Sequence, residues 1–390
     1  MDQKLPLADW EQVHRQAKIL DLHAHPSMKV SLFHRLLTAR LYPSSRAFDP
    51  FSMRTDYSKL EKGSVDALMS VIYAPEKGIV DECRLLKFLL NFMPRVRHNI
   101  YERPYFELTL ELMDEIEKAA EQARRPETGK PWVRFAHNPA ELEQIIAADD
   151  GSVALVHCIE GAHCLEGKLE NLDVLARRGV AYMILAHFFE NELVHPCFPW
   201  PETVQKFGCF QGERNIWLGL KPFGEQAVEK MVELGMLVDI SHCTPPARKR
   251  IYEIVGKRAP LLASHVGVYE INPDPYNLQD WEIRTIAESG GVVGVIFMNY
   301  WLMPRESHRG LNFISRTIDH IVNVGGIDHV GIGTDFDGFT DPPDDLKDAS
   351  ELPRLTQRLL VSGYSPADIA KILGGNALRA LRQGWKGTAA

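Results

Sequence analysis

The sequence predicts a (β/α)8 barrel, the TIM-barrel fold, as a single domain over residues 1–390. Two observations predict it. Eight short apolar runs rich in β-branched residues alternate with amphipathic segments, and ionisable residues recur where those runs end. The length of 390 residues would also allow two or three domains, but barrels of about 250 residues or more often form one unit.

The eight apolar runs have the length and composition of buried parallel strands, which are covered on both faces and therefore show no polar alternation. They begin with AKILDLHAH and end with HVGIGTDFDG. The predicted strands are 17–25, 65–74, 152–161, 180–187, 236–242, 260–265, 292–299 and 329–338.

Apolar residues at three- and four-residue spacing predict helices between most of these strands, for example over 169–178 and 224–235. Asn138 and Ser365, each followed by proline, have the pattern of helix N-caps. Residues 81–125 are too long for one crossover, and we expect a helical insertion there between the second and third strands. A separate small helical domain is the alternative for this stretch.

The composition restricts the class of partner. Its 44 basic and 52 acidic residues give a net charge of −8, which argues against nucleic acid and anionic membranes, since both require a basic surface. No run reaches 18 apolar residues, and the N-terminal residues lack the apolar core of a signal peptide. Six cysteines without CxxC spacing are typical of reduced thiols, so we expect a cytoplasmic protein.

Histidines and acidic residues cluster at the C-terminal ends of the predicted strands. In a barrel all of these ends open onto one face, where active sites form. The sequence therefore predicts that seven side chains from six strands converge there: His23, His25, Glu160, His187, His242, His265 and Asp335.

These residue types suit a metal centre. His23 and His25 are two residues apart and therefore lie on one side of a strand, and neutral imidazole binds Zn, Co, Mn or Fe. Glu160 could bridge two cations whose shared hydroxide acts as nucleophile, with Asp335 transferring the proton. The alternative for any single histidine is a packed, hydrogen-bonded side chain, which we expect for His157, His163 and His195. A nucleophilic role for Cys243 is disfavoured.

At these residues the chain resembles the membrane (renal) dipeptidases, peptidase family M19 of the amidohydrolase superfamily. The resemblance is carried by LDLHAHP, IEGAH, LAH, GLKPFG, LGMLVDISH, LLASH, GGVVGV, IGTDFDG and ILGGNALRAL. It implies two zinc ions, one held by His23, His25 and Glu160 and the other by Glu160, His242 and His265. It also implies that His187 polarises the substrate carbonyl or stabilises the oxyanion and that Asp335 manages the proton. Dimerisation is common in the family, so a homodimer is a further expectation.

The chain departs from the family pattern at two places. His25 stands where the family usually has aspartate, which removes one negative charge from the metal centre. Tyr276 and Asn277 match an Arg-Asn pair whose arginine grips the substrate's terminal carboxylate. Losing that charged hydrogen bond costs roughly 1.5–3 kcal/mol. Arg305 or Arg309 could compensate, and the alternative is that both are solvated loop residues.

The predicted function is hydrolysis of the amide bond of a dipeptide, including one with a C-terminal D-residue, by a zinc-dependent hydrolase with a metal-bridged hydroxide. The substrate partner is therefore a small molecule, bound by His187, Tyr276 and Asn277. Two alternatives stay open. The first is an amidohydrolase acting on a non-dipeptide amide, lactone or ester, which Tyr276 favours. The second is a non-catalytic metal-binding barrel.

Overall fold

Eight parallel strands close into a barrel in a computed structural model, which describes residues 9–38, 52–197, 209–210, 215–302, 310–338 and 341–387. Around the ring the strand order is β1-β2-β4-β5-β6-β7-β8-β9, and β9 pairs with β1 to complete the closure. The predicted fold class is therefore confirmed. The strands are β1 (Ile19–Ala24), β2 (Val65–Ile72), β3 (Val133–Phe135), β4 (Val153–Glu160), β5 (Tyr182–Ile184), β6 (Leu237–Asp239), β7 (Leu261–Val266), β8 (Val292–Ile296) and β9 (Val330–Gly333).

Strand β3 is an addition to the eight predicted strands. It has only three residues and pairs in parallel with the start of β4, while β5 pairs with the end of the same strand. Three residues are too few to show a periodicity in the sequence, so this strand could not be predicted from a pattern. It lies outside the closed ring.

Seventeen α-helices surround the barrel in the described part of the chain. They include the predicted ones, and both predicted N-caps form: the side chains of Asn138 and Ser365 accept hydrogen bonds from backbone N–H groups of the next turn. The helices are α1 (Trp10–Gln16), α2 (Pro26–Phe33), α3 (Tyr57–Lys62), α4 (Lys77–Asp81), α5 (Arg84–Leu89), α6 (Pro94–Tyr101), α7 (Tyr105–Gln122), α8 (Pro139–Ala147), α9 (Glu170–Arg177), α10 (Pro222–Leu234), α11 (Pro245–Val255), α12 (Asp280–Glu288), α13 (Asn299–Leu302), α14 (Leu311–Gly325), α15 (Pro353–Val361), α16 (Pro366–Ala370) and α17 (Asn376–Gly384).

The insertion between the second and third predicted strands contains two parts with different packing. Helix α7 buries Leu108, Met113 and Ile116 in the main apolar core of the barrel. Residues 77–101, which we call the outer insertion, form α4 to α6 around a small apolar cluster of their own. None of the helices in the described ranges combines the length and apolar character needed to cross a bilayer.

A disulfide joins Cys83, between α4 and α5, to Cys209 in the segment that follows β5. The prediction of six reduced thiols is therefore wrong for this pair, because residues 126 positions apart meet only in the folded chain. Disulfides persist mainly in oxidising compartments, so the expected cytoplasmic location stays a prediction. The other four cysteines are buried free thiols.

Candidate metal centre and active site

The structure brings all seven predicted site residues together at the C-terminal mouth of the barrel. His23 lies in β1, Glu160 ends β4 and His265 lies in β7, whereas the other four follow the ends of their strands. All seven are between 0 and 9% exposed. Three overlapping groups of potential ligands, each with its atoms within 4.8 Å of one another, cover the whole set: His23, His25 and Asp335; His23, Glu160 and His265; and Glu160, His187 and His242.

Glu160 lies between two pairs of histidines. The Nε2 atoms of His23 and His25 are 3.1 Å apart and lie 3.5 and 3.3 Å from its carboxylate oxygens. The Nε2 atoms of His242 and His265 are 2.9 Å apart and lie 3.1 and 3.5 Å from Glu160 Oε1. Ligands of a tetrahedral ion with bonds of about 2.0–2.1 Å are separated by about 3.3–3.4 Å. Both groups therefore have the spacing of a ligand set.

The electrostatics of the centre also fit cation binding. Burial holds the pKa of His23 and His265 well below the usual histidine value, which leaves neutral imidazoles with a free lone pair. Burial alone would raise the pKa of Glu160, but the surrounding histidines, His187 first, hold it well below the usual range. Its Oε1 atom is buried and accepts no well-aligned hydrogen bond, although His242 Nε2 lies 3.1 Å away. A bound cation would satisfy that oxygen.

His25 differs from the other ligand candidates because it lies between two carboxylates. Its Nε2 atom is 3.3 Å from Glu160 Oε2 and 3.4 Å from Asp335 Oδ1. Burial alone would lower the pKa of His25, but hydrogen bonds to Asp335 and Glu160 outweigh it and raise that pKa to about 9. A cation and a proton therefore compete for the Nε2 atom of His25.

Two of the site residues have left-handed backbone conformations, which are costly for residues with a side chain. His242 has φ +63° and Asp335 has φ +55°. Main-chain hydrogen bonds from other segments hold both positions, since the Asp335 N–H donates to the His23 carbonyl in β1 and the His242 carbonyl accepts from the Cys197 N–H in the segment after β5. Such strain concentrates at functional sites, which supports a role for this turn geometry.

Behind the histidines, hydroxyl groups determine which ring nitrogen faces Glu160. The Ser264 Oγ atom is 2.9 Å from His265 Nδ1 and 3.2 Å from His23 Nδ1, and Tyr182 Oη is 3.0 Å from His23 Nδ1. These contacts leave both Nε2 atoms for the metal centre. The sequence reasoning missed Ser264 and Tyr182, although Ser264 directly precedes His265 and adjacency was an available signal.

His187 is also held from behind by a residue that sequence reasoning missed. Its Nε2 atom lies 3.5 Å from Glu160 Oε2, and its Nδ1 atom lies 3.0 Å from the buried carboxylate of Glu76. Glu76 follows β2 by four residues, where no strand-end pattern marked it. His187 is therefore placed between two carboxylates, one at the metal centre and one behind it.

Tyr276 and Asn277, predicted to bind substrate, are fully engaged with the protein. The Tyr276 hydroxyl donates to the His265 carbonyl at 2.7 Å, and its ring stacks on Trp301. The Asn277 amide donates to two backbone carbonyls and its oxygen accepts from Gly267 N–H. Arg248, fully buried, donates to the Tyr276 and Asn277 carbonyls. These contacts assign the pair a structural role, and their part in substrate binding stays a prediction.

Residues that were expected to be structural have structural partners. His157 contacts Glu117 at 2.7 Å, His163 contacts the Ala74 carbonyl at 2.9 Å, and burial raises the pKa of Cys243 to about 12. The last value favours a thiol over a nucleophilic thiolate. Arg305 and Arg309 lie outside the described residues.

Comparison with known proteins places the chain in a family. The family described as membrane dipeptidase (peptidase family M19) matches residues 7–386. An uncharacterised protein from the pqqA 5′ region of Klebsiella pneumoniae is 33% identical over 263 residues, which cover 65% of this chain and 90% of that protein. The dipeptidase tcpJ of Claviceps purpurea is 29% identical over 254 residues, or 64% of this chain, and the match spans only 55% of that longer protein.

Two solved structures share the fold. The probable dipeptidase PvdM from Pseudomonas aeruginosa has a TM-score of 0.74 at 22% identity, covering 97% of this chain and 98% of that one. A metallopeptidase from Rhodobacter sphaeroides, solved with a phosphinate mimic of the dipeptide L-Ala-D-Ala, has a TM-score of 0.73 at 21% identity, covering 95% and 99%. The chain belongs to the membrane dipeptidases, peptidase family M19, and is a metallohydrolase of that family.

Proposed function

We propose that this protein hydrolyses the amide bond of dipeptides with two divalent metal ions, most simply zinc. The observation that carries the proposal is the position of Glu160, whose carboxylate oxygens lie 3.1–3.5 Å from four histidine Nε2 atoms. Imidazole nitrogens and a carboxylate at tetrahedral spacing are a typical zinc ligand set. His23 and His25 would hold one ion with Glu160, and His242 and His265 the other.

Zinc ions bound in these two groups would polarise the scissile carbonyl and generate a hydroxide nucleophile near neutral pH. His187 faces the centre with its Nε2 atom beside Glu160, and with a hydrogen on Nε2 as well as on the Nδ1 that contacts Glu76 it would donate to the carbonyl oxygen as negative charge develops there. Asp335 would take the proton released by the attacking water and deliver it to the leaving amine as the C–N bond breaks. One water is consumed and two amino acids are released.

Dipeptides with a C-terminal D-residue belong in the proposed substrate range. The fold neighbour from Rhodobacter sphaeroides was solved with a mimic of L-Ala-D-Ala, which supports this extension. A second candidate function is hydrolysis of an uncharged amide, lactone or ester. It is favoured by Tyr276, whose hydroxyl already donates a hydrogen bond to the His265 carbonyl. A tyrosine also offers no positive charge to the terminal carboxylate of a dipeptide.

The proton-transfer role is tested with Asp335→Asn in metal-loaded protein. We expect kcat to fall by about 10²–10⁴-fold, because the amide cannot accept the proton, while the metal content is unchanged. Asp81→Asn, in an exposed ion pair with Lys87, is the matched control and should retain wild-type kcat. Unchanged turnover in Asp335→Asn would remove this residue from the mechanism.

The substrate class is tested with a panel of L–L and L–D dipeptides, N-acylated amides and lactones at saturating zinc. We expect dipeptides to be cleaved fastest. If every dipeptide is inert while uncharged amides or esters turn over, the second candidate function replaces the first. If the metal-loaded protein turns over nothing in the panel, the non-catalytic barrel becomes the better description.

A further inference from the structure

We propose that Glu76 is a positioning residue for His187, holding its imidazole so that Nε2 faces the metal centre. The proposal rests on the proposed function, because it concerns the group assigned to the developing oxyanion. It adds a residue that follows β2 by four residues and whose histidine contact is His187, which belongs to neither ligand group.

The Glu76 carboxylate has an unusually complete set of partners. Its Oε2 atom accepts from His187 Nδ1 at 3.0 Å, from the Tyr73 hydroxyl at 3.0 Å and from Phe188 N–H at 3.2 Å. Its Oε1 atom accepts from Phe189 N–H at 3.0 Å. Burial alone would raise the pKa of Glu76, but its hydrogen bonds and nearby histidines outweigh burial and lower that pKa. The hydrogen bond from His187 is the largest of these contributions. The group is therefore held as a buried carboxylate.

Because a carboxylate only accepts hydrogen bonds, the nitrogen of His187 that contacts Glu76 must carry the hydrogen. The Nδ1 atom is thereby committed to Glu76, and Nε2 is the nitrogen presented to Glu160 at 3.5 Å. A ring rotated by half a turn would lose this bond. Carboxylates that orient a histidine through its second nitrogen have the same role in other active sites.

Packing restricts His187 to this orientation. Its ring packs against the aromatic rings of Tyr73, with centroids 4.3 Å apart, and Phe188, at 3.5 Å. The backbone N–H groups of Phe188 and Phe189 donate hydrogen bonds to the same carboxylate, which fixes the main chain directly after His187. One side chain in the loop after β2 thus holds both the His187 ring and the main chain of the segment that follows β5.

The experiment compares Glu76→Ala and Glu76→Gln in the zinc-loaded enzyme with the matched control Glu117→Gln. Glu117 also pairs with a histidine, His157, but outside the mouth of the barrel. We expect Glu76→Ala to lower kcat by about 10–100-fold with little change in KM, since supporting residues of active sites typically contribute this much. Glu76→Gln should recover part of the loss, and Glu117→Gln should retain wild-type kcat per folded enzyme.

Two further readouts separate positioning from general stabilisation. The inhibition constant of a phosphinate dipeptide mimic should rise in parallel with the loss of kcat/KM across the Glu76 variants. In a His187→Ala background, Glu76→Ala should cause almost no additional loss of kcat, because its effect passes through His187. Additive losses in this double-mutant cycle, or full kcat in folded, metal-loaded Glu76→Ala, would overturn the proposal.

The hydrogen on His187 Nδ1 gives a test that does not depend on turnover. In ¹⁵N NMR of the zinc-loaded protein, we expect Nδ1 of His187 to carry a hydrogen bonded to Glu76, and Glu76→Gln to shift the Nδ1 signal. If the wild type cleaves no dipeptide, the proposed function fails, yet this measurement still decides whether Glu76 orients the ring. A His187 that carries its hydrogen only on Nε2 in the wild type would overturn the positioning role.

Discussion

The mouth of the barrel and the outer insertion, residues 77–101, are built on opposite principles. At the mouth, seven ionisable side chains from six strands are at most 9% exposed. In the outer insertion, four large apolar side chains are 45–71% exposed: Leu85, Phe88, Leu89 and Phe92. The first region buries groups that water would stabilise, and the second exposes groups that water disfavours. Strand pairing across the whole barrel holds the mouth, whereas local helices and the Cys83–Cys209 disulfide hold the outer insertion. Substitutions in the two regions should therefore have very different consequences.

Among the changes that test this contrast, Glu160→Gln at the mouth should have the largest effect, on both metal content and turnover. The change removes the one carboxylate shared by both histidine pairs, so the cations proposed to bind there would lose the negative charge that compensates both of them. We expect zinc content below one ion per chain and turnover reduced by about 10²–10⁴-fold. Metal analysis after dialysis and initial-rate measurements check both.

The control for this change is Glu143→Gln, an exposed glutamate paired with Arg382. It should keep wild-type metal content and turnover, because an exposed ion pair contributes little. If Glu160→Gln retained two zinc ions, the bridging role of Glu160 would be wrong.

Cys83→Ser should have the next largest effect, and on stability alone. The disulfide closes a loop of 126 residues between the outer insertion and the segment after β5, and such cross-links typically contribute about 2–4 kcal/mol. We expect a lower unfolding midpoint with unchanged kcat at 25 °C. Reductant should lower the midpoint of the wild type but not that of the variant.

Counting thiols gives an independent measure of the same bond. The unfolded wild type should titrate four thiols without reductant and six with it. Six thiols in both conditions would mean that the pair is reduced in the isolated protein and would agree with the expectation of a reducing compartment.

Ser264→Ala should weaken metal binding at both ligand groups, because the Ser264 hydroxyl contacts Nδ1 of both His23 and His265. Supporting residues of this kind typically contribute about 10–100-fold in metal affinity. Tyr182→Phe removes a contact to His23 only and should weaken one ion preferentially. Titration with a zinc chelator measures both affinities, and equal losses in the two variants would contradict the shared role of Ser264.

These supporting residues also mark how far the sequence could be interpreted. His23 in β1, Glu160 at the end of β4 and His265 in β7 were predictable, because a strand end specifies where a side chain lies in a barrel. Glu76 was not, since its contact with His187 joins segments 111 residues apart and depends on how two loops pack. Tyr276 shows the same limit: its position near the centre was predictable, but the bond from its hydroxyl to the His265 carbonyl was not.

The outer insertion should show the smallest effect. Phe92 is 71% exposed, so we expect Phe92→Ala to change the free energy of unfolding by no more than about 0.5 kcal/mol and to leave kcat unchanged. The matched variant is Phe297→Ala, at a fully buried phenylalanine directly after β8, which should cost about 3–5 kcal/mol. Urea unfolding at two protein concentrations measures both. A cost above about 1.5 kcal/mol for Phe92→Ala, growing with protein concentration, would mean that this surface is covered in solution by a second copy. The apolar side chains of the outer insertion would then be exposed only in the isolated chain. Such a result would be the first direct support for the expected homodimer.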